Sequence, residues 1–356
     1  MSFFDEVVAE SAVARLAEPI APDLVGAMLR EHYGLSGRLI RIATEKDDTF
    51  RLAAAGSTHL VKCSPSSEDP EIVDLQTSAL AYLEISAPLL PVQRIQRTLA
   101  GASQVLFGTG GPHQRVLRVL DFLPGTAMSE FEPTVPQTVL AGRMLGRVAN
   151  ALRDFSHPRD GRLLLWDLAN FHRMPELLDA VSDTAHRALA EQIWAEFHEV
   201  LVPRLGSLEQ QVVHGDFSPF NVLVDPLDPG FVTGVIDFGD TVRTCVVFDV
   251  AVCMANLLGV AQADPWQLPI AFLSGYHAER GINAEELPLV REAALGRLVL
   301  RSLVAQWRAG MDAERHAYLV SHSRDDWTRL AQAFARPADE VRAAMLAATC
   351  VELDRT

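Results

Sequence analysis

Cysteine is scarce in this chain: Cys63, Cys245, Cys253 and Cys350 are spread over 356 residues, and none forms a CxxC pair. The scarcity excludes a disulfide scaffold or a thiolate metal site, and reads as core cysteines in a protein of the reducing cytoplasm. Positive charge is also short. There are 31 Lys and Arg against 46 Asp and Glu, a formal net charge of −15. Such a surface repels nucleic acid and anionic lipid, and suits a cationic or zwitterionic small-molecule partner. No apolar run reaches the roughly 20 residues of a membrane span. The most apolar stretch, Cys245 to Ala261, is interrupted by Asp249 and Asn256 and reads as a buried helix. The first residues, MSFFDEVVAE, carry acids where a signal peptide needs positive charge. Internal repeats and low-complexity tracts are missing as well, and the length allows one large bilobal unit or two domains.

What is present is concentrated in VVHGDFSPFNVLVD, from Val212 to Asp225, and GVIDFGD, from Gly234 to Asp240. His214-Gly215-Asp216 with Asn221 five residues on repeats the protein kinase pattern H-R-D…N with Gly in place of Arg, and Asp237-Phe238-Gly239 follows as a second element. Phosphoryl transfer asks a protein chiefly to place an acceptor oxygen, a phosphate and a hard cation, and oxygen ligands on strand ends do this well. Apolar β-formers flank both motifs. The pattern assigns Asp216 the substrate hydroxyl and its proton, and gives Asn221 and Asp237 to Mg²⁺. His214 reads as a support for the loop, and Asp249 as either a helix cap or a brace for it.

Upstream, an amphipathic segment from Asp23 to Tyr33 precedes strand-like runs at Leu39 to Ile42, Phe50 to Ala55 and Thr58 to Cys63. Asp69-Pro70 opens a helix expected to reach about Glu84, and further strands are expected at Gln104 to Phe107 and Arg115 to Phe122. Long helical periodicity follows at Gln137 to Phe155, Met174 to Leu205, Phe248 to Leu258 and Leu287 to Ala309. The expected architecture is α+β, protein kinase-like and bilobal. A β-rich lobe at 1–120, a hinge at 121–125 and a helical lobe at 126–356 enclose a cleft.

Lys62, at the end of an otherwise apolar strand, is the candidate for the phosphates of ATP. A glycine-rich phosphate loop is lacking. Its place is taken by Thr44-Glu45-Lys46-Asp47-Asp48-Thr49, where Thr49 is either a phosphate contact or part of a polar turn. On the helix after Pro70, Gln76 falls in the inward stripe with Ile72, Leu75, Ala79, Leu80 and Leu83, while Asp74 points away. Gln76 is therefore expected to accept a hydrogen bond from Lys62, directly or through water.

With these motifs the chain resembles the aminoglycoside phosphotransferase and choline kinase superfamily, and within it the hydroxylysine kinase-like and homoserine kinase-like groups. EKDDTFRL at Glu45, LVKCS at Leu60, VLRVLDFLPG at Val116 and FSHPRDGRLLLWDL at Phe155 carry the closer likeness. The resemblance implies ATP and Mg²⁺, adenine received by the backbone from Leu120 to Leu123, and a small amino alcohol or hydroxy amino acid as acceptor. Thr49 stands where the group has Asn, and Gln76 where many members have a Glu partner for the lysine. Trp166, Asp167 and Asp240 lie in or beside these motifs as candidate contacts for an amine, with a core role the alternative for Trp166. An antibiotic phosphotransferase is the competing enzyme. A non-catalytic kinase-like binding protein is the alternative of another class, and it would be expected to lose Asp216, Asn221 or Asp237.

Overall fold

A turn at Gly56, where φ is 82°, folds β2 (Asp48–Ala54) back on β3 (Ser57–Cys63) and places Thr49 opposite Lys62. With β1 (Gly37–Ile42), β4 (Val105–Phe107) and β5 (Arg115–Asp121) these form an antiparallel sheet in the order β1-β2-β3-β5-β4. The computed structural model describes residues 2–11, 19–44, 46–108, 114–261, 263–311 and 325–350. Glu45, in the turn singled out from the sequence, lies outside them.

Alternation along the strands decides what each face carries. Phe50, Leu52, Val61, Leu117 and Val119 pack on one side with Val25 and Leu29, from α2 (Pro22–Met28), the helix after α1 (Phe3–Ser11), and from the π-turn that follows α2. The other side, bearing Leu60 and Lys62, faces α3 (Pro70–Ser86) and the cleft. The Asp69 side chain caps α3 by accepting from Glu71 N at 2.9 Å, a device worth about 1 kcal/mol. Leu75, Leu80 and Leu83 of α3 join the large core of the second half of the chain.

That half is mostly helical: α4 (Val135–Leu152), α5 (Leu168–Phe171), α6 (Thr184–Val200), α7 (Val246–Leu257), α8 (Gln267–Arg280), α9 (Val290–Met311), α10 (Asp326–Phe334) and α11 (Ala338–Cys350). The helix expected from Met174 to Leu205 is broken. A 3-10 turn covers Pro175–Ala180, Asp183 caps the start of α6, and a second 3-10 turn at Val202–Arg204 contains Pro203. Apolar periodicity runs on across these breaks, but proline and a side-chain cap restart the backbone. Two short sheets hold the motifs: β6 (Thr126–Ala127), β8 (Val222–Val224) and β9 (Val232–Val235) in one, β7 (Gln210–Val213) and β10 (Val242–Cys245) in the other. Among the described residues no helix is long and apolar enough to cross a membrane.

Candidate active site

The loop between β7 and β8 carries His214, Gly215 and Asp216. Gly215 has φ of 81°, and a Cβ built on it would stand 2.1 Å from the Asp240 carbonyl oxygen. No side chain fits there, which accounts for Gly where protein kinases have Arg. His214 is fully buried; its Nδ1 accepts from Asp216 N at 3.2 Å and its Nε2 faces Ile236 O at 3.1 Å. Burial pulls its pKa down to about 4, so the ring is neutral and supports the loop. Of the two roles open to Asp249, the structure shows the brace. It lies one turn inside α7 and accepts from Gly215 N at 2.9 Å. Burial raises its carboxyl to about 7.

Asn221 donates through Nδ2 to Asp216 Oδ2 at 2.6 Å and to Asp216 O at 3.0 Å. Its Oδ1 is thereby turned away from Asp216. Burial, then the charge of nearby Asp240, raises the Asp216 carboxyl above its ordinary range. A cation brought beside it favours the ionised, proton-accepting form.

Asp237 occupies the left-handed region at φ 59°, after β9, and begins a 3-10 turn by accepting from Gly239 N at 3.2 Å. Gln93 fixes this turn to the end of β5: Oε1 accepts from Asp237 N at 3.2 Å, and Nε2 donates to Asp121 O at 3.3 Å. Lys62 Nζ reaches Asp237 Oδ1 at 3.2 Å and Asp47 Oδ2 at 3.1 Å. The Lys62 charge draws the Asp237 carboxyl down to about 2. Burial alone would lower the Lys62 ammonium, but Asp237 and Asp47 outweigh it and hold its pKa above the ordinary value. Both charges are therefore firm at neutral pH.

Gln76 departs from expectation. It is buried in the stripe foreseen, yet its Nε2 donates to Gly239 O at 3.1 Å. Besides Asp237, Lys62 takes its second ionic partner from Asp47, in the turn before β2, which Arg118 Nη2 also approaches at 3.5 Å. Arg162 Nη2 shares the Gly239 carbonyl at 2.6 Å and lies 4.0 Å from Asp240 Oδ1. Asp74 is on the outer face, half-exposed, with His157 Nε2 at 3.2 Å.

Thr49 is buried beside Lys62, its hydroxyl accepting from Thr44 Oγ1 at 3.1 Å. Leu120 is embedded in sheet pairing, with Leu60 on one side and Ile95 on the other. Leu123, past the strand, packs near Gly234. Asp167 caps α5 and accepts from Thr244 Oγ1 at 2.7 Å. Trp166 carries the Arg297 guanidinium over its ring at 5.2 Å, and both line a narrow recess with Asp167, Gly215, Thr244 and Asp249.

Asp47, Gln93, Arg162 and Arg297 went unseen in the sequence. Asp47 sits among several acids of one turn, and the other three act through partners distant in the chain. The donor set at the cleft suits a small hard cation. Asn221 Oδ1 and the half-exposed Asp237 carboxylate are two oxygens of the kind such a cation takes, and no group of three His, Cys, Asp or Glu among the described residues could make an all-protein cage. Mg²⁺ is commonly bound in this way, by one or two protein oxygens completed by phosphates and water.

The sequence profile of the phosphotransferase enzyme family matches residues 40–285. The chain is 24% identical over 282 residues to a hydroxylysine kinase of Mus musculus, covering 76% of this chain and 74% of that one. It is 29% identical over 240 residues to a homoserine kinase of Rhodopseudomonas palustris strain TIE-1, covering 66% and 68%. The solved structure of an amicoumacin kinase in complex with AMP-PNP, Ca²⁺ and Ami superposes with a TM-score of 0.66 at 16% identity, covering 90% of this chain and 95% of that one. At that identity the likeness speaks to the fold, which is the protein kinase-like one.

Proposed function

The chain belongs to the phosphotransferase enzyme family and is a kinase of small molecules, and on that footing we propose that it phosphorylates the hydroxyl of a small amino alcohol or hydroxy amino acid with ATP. The observation that carries this reading is the meeting of Lys62, Asp237, Asn221 and Asp216 at one cleft. The names of the mouse and bacterial relatives, both kinases of hydroxy amino acids, support the acceptor class.

In this reading residues 1–120 form the nucleotide lobe, 121–125 the hinge and 126–356 the acceptor lobe. Leu123 offers backbone groups to the adenine, for its N–H and C=O have no partner among the described residues. Lys62 and the nearby Thr49 hydroxyl meet the phosphates. Asn221 Oδ1 and the Asp237 carboxylate hold Mg²⁺. The metal, when bound, neutralises charge on the phosphate oxygens. Asp216 orients the acceptor hydroxyl and takes its proton as the new O–P bond forms and ADP departs. Asp240 and Asp167 supply negative potential for the acceptor's amine.

ADP release across hydroxylysine, homoserine, short amino alcohols and aminoglycosides, with ATP or GTP as donor, tests the reading. Efficient turnover of the small amines, with poor turnover of uncharged alcohols, is expected. A clear preference for aminoglycosides would replace it with the antibiotic phosphotransferase reading.

A further inference from the structure

Two arginines of α9, buried Arg291 and half-buried Arg301, have carboxylate partners. Arg291 Nη1 lies 2.9 Å from both Glu196 and Glu292, and Arg301 pairs with Asp326 at 2.6 Å. Arg297, only 7% exposed, has none among the described residues. Its Nε and Nη1 are enclosed without any hydrogen bond, and its guanidinium is laid on Trp166. An unpaired buried guanidinium is costly, and the cost persists in a fold only where something compensates it.

Asp216, Asp240 and Asp167 attract Arg297 at longer range, while burial lowers its pKa; none of them closes to an ion pair. The recess beside it has a cavity volume of about 10 Å³, the room of one water-sized group. That is room for one carboxylate oxygen. Gly215, the residue before Asp216, lines the same recess.

We propose that Arg297, clamped on Trp166, binds the carboxylate of the acceptor and makes the enzyme a kinase of hydroxy amino acids. The inference rests on the phosphotransferase reading above and narrows it. A positive charge set among Asp167, Asp216 and Asp240 matches a zwitterion, whose ammonium and carboxylate need opposite partners close together. Guanidinium is suited to this place because it is planar, stacks on an indole and still offers its edge nitrogens to a carboxylate.

Two matched acceptor pairs test it: homoserine against aminopropanol, and hydroxylysine against the diamino alcohol left when its carboxyl group is removed. The wild-type enzyme should favour the acid in each pair by roughly 10- to 100-fold in kcat/KM, the span of a charged hydrogen bond. In Arg297→Met that ratio should fall to about 1, and in Arg297→Lys, which keeps the charge, it should be intermediate. Thermal melting establishes that each variant is folded. A ratio preserved in folded Arg297→Met overturns the proposal. So does a wild-type enzyme that turns over both members equally, which leaves the small-molecule kinase reading intact. A variant altered mainly in its KM for ATP would assign Arg297 to the nucleotide instead. No transfer to, and no melting shift from, any of the four acceptors would sink the acceptor class proposed above, and this inference with it.

Discussion

Lys62 Nζ and Asp237 Oδ1 stand 3.2 Å apart although 175 residues separate them in the chain. One belongs to a strand of the N-terminal sheet, and the other sits in a left-handed turn after β9. Their ion pair bridges the two sides of the cleft, and each sets the charge of the other. Phosphate oxygens and a cation arriving there would find both groups already ionised and facing each other.

The Gln76 amide and the Arg162 guanidinium both hold the Gly239 carbonyl, two residues beyond Asp237. Gln76→Leu should therefore loosen the turn that carries Asp237 without unfolding the chain, since one donor remains. We expect the KM for Mg-ATP to rise about 3- to 10-fold, the effect of losing one hydrogen bond. Asp74→Ala, on the outer face of the same helix, should leave it near the wild-type value. Steady-state kinetics on both variants decides, and the reverse ranking would contradict the placement of α3.

Gly215 combines positive φ with a close approach of loops, since the position its Cβ would take lies 2.1 Å from Asp240 O. Gly215→Ala should lower the unfolding free energy by about 2 kcal/mol or more, through backbone strain and displacement of the turn at Asp240. Denaturant titration measures this. An unchanged midpoint would mean that the two loops are less closely packed than described.

Asp249 gives a pH dependence. Its folded pKa is raised to about 7, above the unfolded value of about 3.9. Its contribution to stability is therefore fully present below about pH 4 and is lost as pH rises through 7, by a few kcal/mol. Asp249→Asn keeps an oxygen to accept from Gly215 N but cannot ionise, so its stability curve should be flatter over that window. Parallel curves for variant and wild type, measured by denaturant titration from pH 4 to 8, would remove Asp249 as the source.

Short-range signals made much of this legible in the sequence. Asp69-Pro70 marks the start of α3, Gly56 the turn of the hairpin, and the two motifs mark the strand ends that hold Asp216, Asn221 and Asp237. Gln76 shows the limit. Helical periodicity places it correctly in the buried stripe, but its partner depends on how α3 meets the turn at Gly239, a relationship across 163 residues. Asp47 is hidden for a similar reason, because nothing local distinguishes it from Asp48, whose carboxylate instead takes Arg41. Arg297 looks like any other arginine of α9 until the described residues around it are seen to offer no carboxylate at ion-pair distance.

In the proposed mechanism everything turns on Asp216 taking the proton of the acceptor hydroxyl while Lys62, Asn221 and Asp237 serve the nucleotide and its metal. The most direct measurement is the turnover of Asp216→Asn with a good acceptor, alongside its Mg-ATP affinity by calorimetry. Turnover should fall by roughly 10²- to 10⁴-fold with affinity nearly unchanged, as expected for loss of a positioned general base. Near-normal turnover in a folded Asp216→Asn enzyme would contradict this division of roles.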